Sequence, residues 1–342
     1  DIEQASLNYG YRAQLANSSS ALLTSTVVDL FRALGIAAVI YSDLTIGMMI
    51  AFLFYLSTLV SPIQQLMGIV ISYQTTKPGL ERINSLLSLS REPNYPQLAD
   101  PFKGRSSTSV ELKNINFSYG NGKRVLHDIS LRAEPGQKIA LIGPSGGGKT
   151  TIAQIMVGFY PPRRGEILYG DTPIKKTGLP LIRRNVALML QQVLFFNDTI
   201  RMNLDLSGEK NNRQIFKALA AAQLDVFVQR LKDGLETRIG KNGIRLSGGQ
   251  RQRLAIARLI LSEPKIIIFD EATSALDNRT EYNLYETLEP FLENRTTIII
   301  AHRTTTIRQA EYIYLIEDGQ IQAEGSYKDL QKRGMILEDF DT

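Results

Sequence analysis

At 342 residues the chain is long enough for two domains, and with 39 Lys and Arg against 34 Asp and Glu it is mildly basic, at a net +5. It has no cysteine, which excludes disulfides and thiolate metal sites. Charge is unevenly spread: residues 1–100 hold 7 acidic and 5 basic side chains, a net of −2, and the rest carry +7. That places a composition boundary near residue 100. A nucleotide pocket and a membrane-facing surface both want cations, and they account for the basic excess better than nucleic acid does. The chain begins at Asp1 rather than at a methionine and reads as a piece of a longer polypeptide.

Residues 1–17 are polar and read as an extension of the first helix, which continues to about residue 42. Its apolar part, Ser18–Tyr41, is interrupted by Asp29 and Arg32, which are i,i+3 neighbours on one helix face. Within a membrane such a pair either faces a functional cavity or serves only to neutralise itself. Ser42-Asp43 is a short outer turn. From Leu44 to Thr76 there are 33 residues without a charge, and a bilayer span needs about 20. Lys77, Glu81, Arg82 and Arg91 place the end of this second helix, near residue 88, in water on the cytoplasmic side. Residues 91–108, with three prolines, read as a linker.

Val110–Tyr119 and Val125–Arg132 alternate apolar and polar residues, as half-exposed antiparallel strands do. Pro135-Gly136 turns the chain into a buried strand, Lys138–Ile142. Next comes Gly143-Pro144-Ser145-Gly146-Gly147-Gly148-Lys149-Thr150, followed by Thr151. This matches the phosphate-binding pattern G-x-x-x-x-G-K-[ST] in its required context of strand, loop and helix. Backbone N–H groups cradle phosphate oxygens, Lys149 reaches the β- and γ-phosphates, and the Thr150 hydroxyl can ligate Mg²⁺.

A second phosphate-binding surface follows about a hundred residues later. Leu246-Ser247-Gly248-Gly249-Gln250 sets a hydroxyl and two glycines at the opening of a helix. One nucleotide has one triphosphate, so two such surfaces raise the question of which phosphate the second holds, and in whose molecule. Ile266–Phe269 is an apolar strand that ends in Asp270 and Glu271; Asp270 orients the Mg²⁺ shell and Glu271 stands where a general base polarises water. Thr296–Ile300 is a further buried strand. His302 follows its C-terminal end, the edge where parallel sheets bind ligands, and can there bond the γ-phosphate. The other histidine, His127, is read as structural.

Together these motifs resemble the ATP-binding cassette family, and its exporters in particular, in which membrane helices precede the cassette on one chain. The resemblance covers Ser109–Phe340 closely and residues 1–100 more loosely. It implies a P-loop α/β fold: a RecA-like core, an antiparallel β subdomain around Val110–Arg132 and a helical subdomain across Leu194–Arg258, preceded by two long transmembrane helices. It also assigns residues. Gly143–Thr150 resembles the Walker A loop, and Ile266–Asp270 the Walker B strand with Glu271 as catalytic glutamate. Leu246–Gln250 resembles the signature, Ser274-Ala275-Leu276-Asp277 the D-loop, Gln191 the Q-loop glutamine that also ligates Mg²⁺, Tyr119 the aromatic that stacks on adenine, and His302 the switch histidine.

What the resemblance implies is ATP-driven export. The implied cofactors are ATP and Mg²⁺, and the implied partners are a second nucleotide-binding domain (a homodimer or a paralogue), the remaining transmembrane helices and the lipid bilayer. Leu246–Gln250 and Asp277 would then act on the ATP held by the partner. Localisation would be a bacterial inner or plasma membrane with the cassette in the cytoplasm. Two alternatives stand beside it: a secretion exporter with an N-terminal peptidase domain outside this chain, and a cassette ATPase that moves no substrate. The sequence departs from the family twice. Gly147 stands where Ser is usual, with little effect expected. Lys241 stands where exporters often carry a glutamate, in the loop thought to contact the coupling helices, which suggests an acidic partner surface.

Overall fold

The computed structural model describes residues 2–89, 91–120, 122–190, 192–270, 286–301 and 304–335. The chain divides into two compact units, Asp1–Glu92 and Pro93–Thr342.

The first unit is a helical hairpin, α1 (Ile2–Tyr41) and α2 (Ile46–Leu87). Thr45 caps α2 by accepting the Met48 N–H at 3.2 Å. The two helices meet through Phe31 and Phe52, whose ring centroids lie 6.1 Å apart, and through Gly35, where a Cβ would come within 3.1 Å of Met49. Arg32 pairs with Asp29 at 3.1 Å, and both side chains stand mostly in the open. Apolar side chains around both helices are exposed, among them Leu22, Leu34, Ile50, Phe54 and Ile69. Both helices form, at 40 and 42 residues, but among the described residues no helix is long and apolar enough to cross a membrane.

The second unit holds two sheets. The first is antiparallel, in the order β2-β1-β4-β5, from β1 (Val110–Phe117), β2 (Leu126–Ala133), β4 (Arg164–Tyr169) and β5 (Thr172–Pro173). β1 and β2 are the two alternating segments, paired with Val110 opposite Ala133 and Phe117 opposite Leu126. The second sheet runs β10-β9-β3-β8-β7-β6, from β3 (Lys138–Ile142), β6 (Val186–Met189), β7 (Ile266–Asp270), β8 (Thr296–Ile300), β9 (Tyr312–Glu317) and β10 (Gln320–Gly325). All its pairings are parallel except the β9–β10 hairpin.

Successive residues of the central strands feed different cores, because a strand points its side chains to alternate faces. Ile139, Leu141, Ile266 and Ile268 pack with the antiparallel sheet and with α3 (Lys149–Met156). Ala140, Ile142, Ile267 and Phe269 pack with the helical side of the unit. A sheet covered on both faces explains why these strands read as unbroken apolar runs. Two short helices, α4 (Ile174–Thr177) and α5 (Leu179–Asn185), lead into β6. The helical side is built by α6 (Ile200–Leu204), α7 (Asn212–Ala221), α8 (Asp225–Arg230) and α9 (Gly248–Ser262), as expected for the stretch Leu194–Arg258. Arg258 ties it together: its guanidinium donates to the carbonyls of Asn203 at 2.6 Å and Leu194 at 3.2 Å and lies over the Phe195 ring, while burial pulls its pKa down.

Residues 93–108 form no helix or strand, yet they are packed onto the second unit. Phe102 is buried against Tyr169, and the Leu98 and Ala99 N–H groups donate to the Lys176 carbonyl.

Candidate nucleotide site

The site lies at the C-terminal edge of the parallel sheet. β8 runs between β3 and β7, with Ile300 level with Leu141 on one side and Asp270 on the other. Three strand ends therefore open onto one edge, the ligand-binding edge of open α/β sheets. The loop after β3 is Gly143–Gly148, and α3 starts at Lys149.

Gly143 has φ of +133°, and a Cβ there would lie 1.9 Å from the Ile316 carbonyl oxygen. Only glycine lets the loop cross β9 so closely. Gly143→Ala should cost about 2–4 kcal/mol through this clash and the strained backbone; a thermal unfolding midpoint equal to wild type would contradict that. Gly148 caps α3 at φ +102°. Gly147 stands in a tight place. A Cβ there would meet the Ile316 and Pro144 carbonyl oxygens at 3.0 and 3.1 Å, so a serine in its place would push on backbone from both sides. The glycine is a fitted part of this loop.

Lys149 is 5% exposed, and its ammonium donates to the carbonyls of Gly143 at 2.7 Å and Pro144 at 2.8 Å. It therefore stands as a fixed cation at the loop's mouth. The Thr150 hydroxyl donates to Asp270 Oδ1 at 3.2 Å, joining residues 120 positions apart. Asp270 is itself 5% exposed at the end of β7. Two hard oxygen donors meeting beside a phosphate loop suit Mg²⁺, which keeps most of its shell as water and phosphate and asks little of the protein. Among the described residues no group of three or more His, Cys, Asp or Glu side chains could hold a metal. Tyr119 approaches the same helix: its hydroxyl lies 3.0 Å from Thr151 Oγ1 and donates to Gln154 Oε1 at 3.1 Å.

The run Leu246–Gln250 opens α9. Ser247 Oγ accepts the Gln250 N–H at 3.2 Å, and Gln250 Oε1 accepts the Ser247 N–H at 2.8 Å. This is a reciprocal capping box. Its chemical consequence is specific: a lone pair of the hydroxyl is taken by the cap, while its proton remains available to an anion. Gln250 is thus a positioning residue for Ser247, which the spacing S-x-x-Q already spells out. Leu246 is buried beneath the turn. Gln191, Glu271, Asp277 and His302 lie outside the described residues.

An ABC transporter family model matches residues 126–274. Proteins named ATP-dependent lipid A-core flippase are similar to the chain. That of Burkholderia pseudomallei is 35% identical over 323 residues, which is 94% of this chain and 54% of that protein. That of Cupriavidus metallidurans is 38% identical over 316 residues, 91% of this chain and 53% of that one. The solved structure of a bacterial Atm1-family ABC exporter with ATP bound aligns at a TM-score of 0.69 and 32% identity, over 91% of this chain and 55% of that one. Residues 126–274 are an ABC transporter domain. The chain spans about half the length of the curated relatives it matches.

Within an ABC transporter fold, the departure at Lys241 has a defined setting. Lys241 is exposed in Lys241–Gly243, a single 3₁₀ turn after Gly240. It lines a cleft of about 580 Å³ with Val193, Leu194, Ile244, Arg251 and Gln252. Leu194 and Ile244 are 69% and 77% exposed, and Gln252 is buried with its side-chain carbonyl oxygen unpartnered among the described residues. The cleft thus combines exposed apolar side chains with the cations Lys241 and Arg251.

Proposed function

We propose that the chain is the helical anchor and ATP-hydrolysing cassette of a membrane exporter. The observation that carries the reading is the contact between Thr150 and Asp270 beside the buried Lys149 ammonium. It brings together, on one sheet edge, a phosphate cradle, a cation and a pair of hard oxygens. Residues 109–342 are the nucleotide-binding domain, and residues 1–90 are the end of a transmembrane domain. The uncharged run Leu44–Thr76 and the exposed apolar side chains of α1 and α2 support membrane attachment, with the cassette on the cytoplasmic side.

In this reading Gly143–Thr151 holds the triphosphate, Lys149 neutralises its β- and γ-oxygens and Tyr119 stacks on adenine. Thr150, Asp270 and Gln191 hold Mg²⁺, which when bound supplies further charge neutralisation at the leaving phosphates. Glu271 takes a proton from the attacking water, and His302 bonds the γ-phosphate. Ser247, Gly248 and Gly249 of one copy, with Asp277, close on the γ-phosphate held by a second copy. The free proton of the capped Ser247 hydroxyl is the donor. Binding two nucleotides at a shared interface favours the closed pair, and loss of the γ-phosphate contacts reopens it. The cargo is amphiphilic and lipid-like, the class named in the relatives' titles.

Purified in liposomes with whatever precedes Asp1, the protein should hydrolyse ATP in a Mg²⁺-dependent way and move a labelled lipid between leaflets only when ATP is supplied. An intact chain that stays in solution without detergent and hydrolyses ATP without a membrane would instead support the non-transport cassette. The cleft beside Lys241 receives an acidic segment of the transmembrane domain. Lys241→Glu should therefore cut transport several-fold, as loss of about 1 kcal/mol of ionic contact would, and leave nucleotide affinity unchanged. Wild-type transport by that variant would remove the acidic partner.

A further inference from the structure

Tyr119 is held in place by more than its neighbours in sequence. Its ring meets Phe117 edge-on, with centroids 4.9 Å apart at 85°, and Tyr160 edge-on at 5.1 Å and 88°. Phe117 and Tyr160 touch each other at 5.6 Å, which closes a three-ring cluster. Phe117 is buried, but Tyr119 and Tyr160 are 42% and 38% exposed. The half-exposed Tyr119 ring is thus braced edge-on by two others, the buried Phe117 and the half-exposed Tyr160, which is itself tilted at 48° to Phe117. Such edge-to-face pairs stabilise orientation as well as burying area.

The hydroxyl of Tyr119 fixes where that ring stands. A phenol has one proton. Donated to Gln154 Oε1, it leaves the phenol oxygen to accept the Thr151 hydroxyl proton. Thr151 and Gln154 both belong to α3, the helix whose N-terminal loop is the phosphate cradle. The ring is therefore tied at a set distance from the triphosphate position.

We propose that Tyr160 and Gln154 are positioning residues for nucleobase recognition. Tyr160 braces the Tyr119 ring, and Gln154, with Thr151, ties it to the phosphate-binding helix. The ligand is the flat base of a nucleoside triphosphate, and the gain is preorganisation: the ring does not have to be ordered when the base arrives. The inference rests on the reading of Gly143–Thr151 as a triphosphate cradle.

The test compares two probes by calorimetry on the full chain: ATP, and inorganic tripolyphosphate, which has no base. Tyr160→Ala and Gln154→Ala should each weaken ATP binding about two- to tenfold, the range expected for losing one aromatic or hydrogen-bonding brace, and leave tripolyphosphate binding as in wild type. In hydrolysis the loss should fall on KM rather than kcat, and Tyr160→Phe, which keeps the ring, should bind ATP like wild type. Wild-type ATP affinity in Tyr160→Ala, or an equal loss of both probes, would overturn the positioning role. Lys149→Ala separates the two claims. It should lose both probes, and if it retains both, the triphosphate reading itself fails.

Discussion

Glu271→Gln stops ATP hydrolysis while ATP stays bound, and the cassettes accumulate as a closed pair. The expectation follows from what surrounds the position in sequence. β7 delivers Asp270 into contact with Thr150, so in the proposed function that carboxylate would serve the Mg²⁺ shell. The next residue in the sequence, Glu271, supplies a second carboxylate for a different task. Glutamine keeps the size and one oxygen of glutamate but cannot take a proton. Removing a general base costs about 10²–10⁴ in rate. Turnover should fall by at least about a hundredfold on that scale. Binding should persist, because Lys149, Thr150 and the glycine loop are untouched, and size-exclusion chromatography should show an ATP-dependent dimer. Turnover at the wild-type rate would remove Glu271 from the reaction.

Lys149→Ala acts at the preceding step and abolishes binding. Its ammonium is almost fully buried and bridges the Gly143 and Pro144 carbonyls. The substitution removes the cation that meets the β- and γ-phosphates, and it also unties the start of the loop. Each hydrogen bond from a charged group is worth about 1.5–3 kcal/mol, so loss of two such interactions weakens ATP by about a hundredfold or more. Lys149→Arg should not restore affinity, because a planar guanidinium does not fit a site shaped for a compact ammonium. Titration with a fluorescent ATP analogue reads both variants, and near-wild-type affinity in either would contradict the role given to Lys149.

The chemistry of this chain is legible in sequence because each part is local. Gly143–Thr150, Leu246–Gln250 and the strand ending in Asp270 are short runs whose backbone and side chains do the work themselves. The fold around them is less legible. β10, Gln320–Gly325, has little apolar content; it is an edge strand paired only to β9, so nothing buries it on both sides. β4 follows two prolines and an arginine, and its pairing with β1 is a long-range fact. Residues 93–108 carry the composition of a linker, and only the contact with Tyr169 reveals that Phe102 is core. In the site, the fit of Gly147 depends on the Ile316 carbonyl of a distant strand, and the roles of Tyr160 and Gln154 depend on the rings and helix that meet Tyr119. Contacts of this kind have no signature in a single sequence.

The central claim is that Ser247 of one copy closes on the triphosphate held by another. The chain has no cysteine, so thiols can be placed without background. One tagged copy carries Ser145→Cys, and a differently tagged copy carries Ser247→Cys, both with Glu271→Gln. A short bifunctional thiol reagent should join the two tags when ATP is present and leave them separate without it. Saturating ATP with no bond between differently tagged copies would contradict the account.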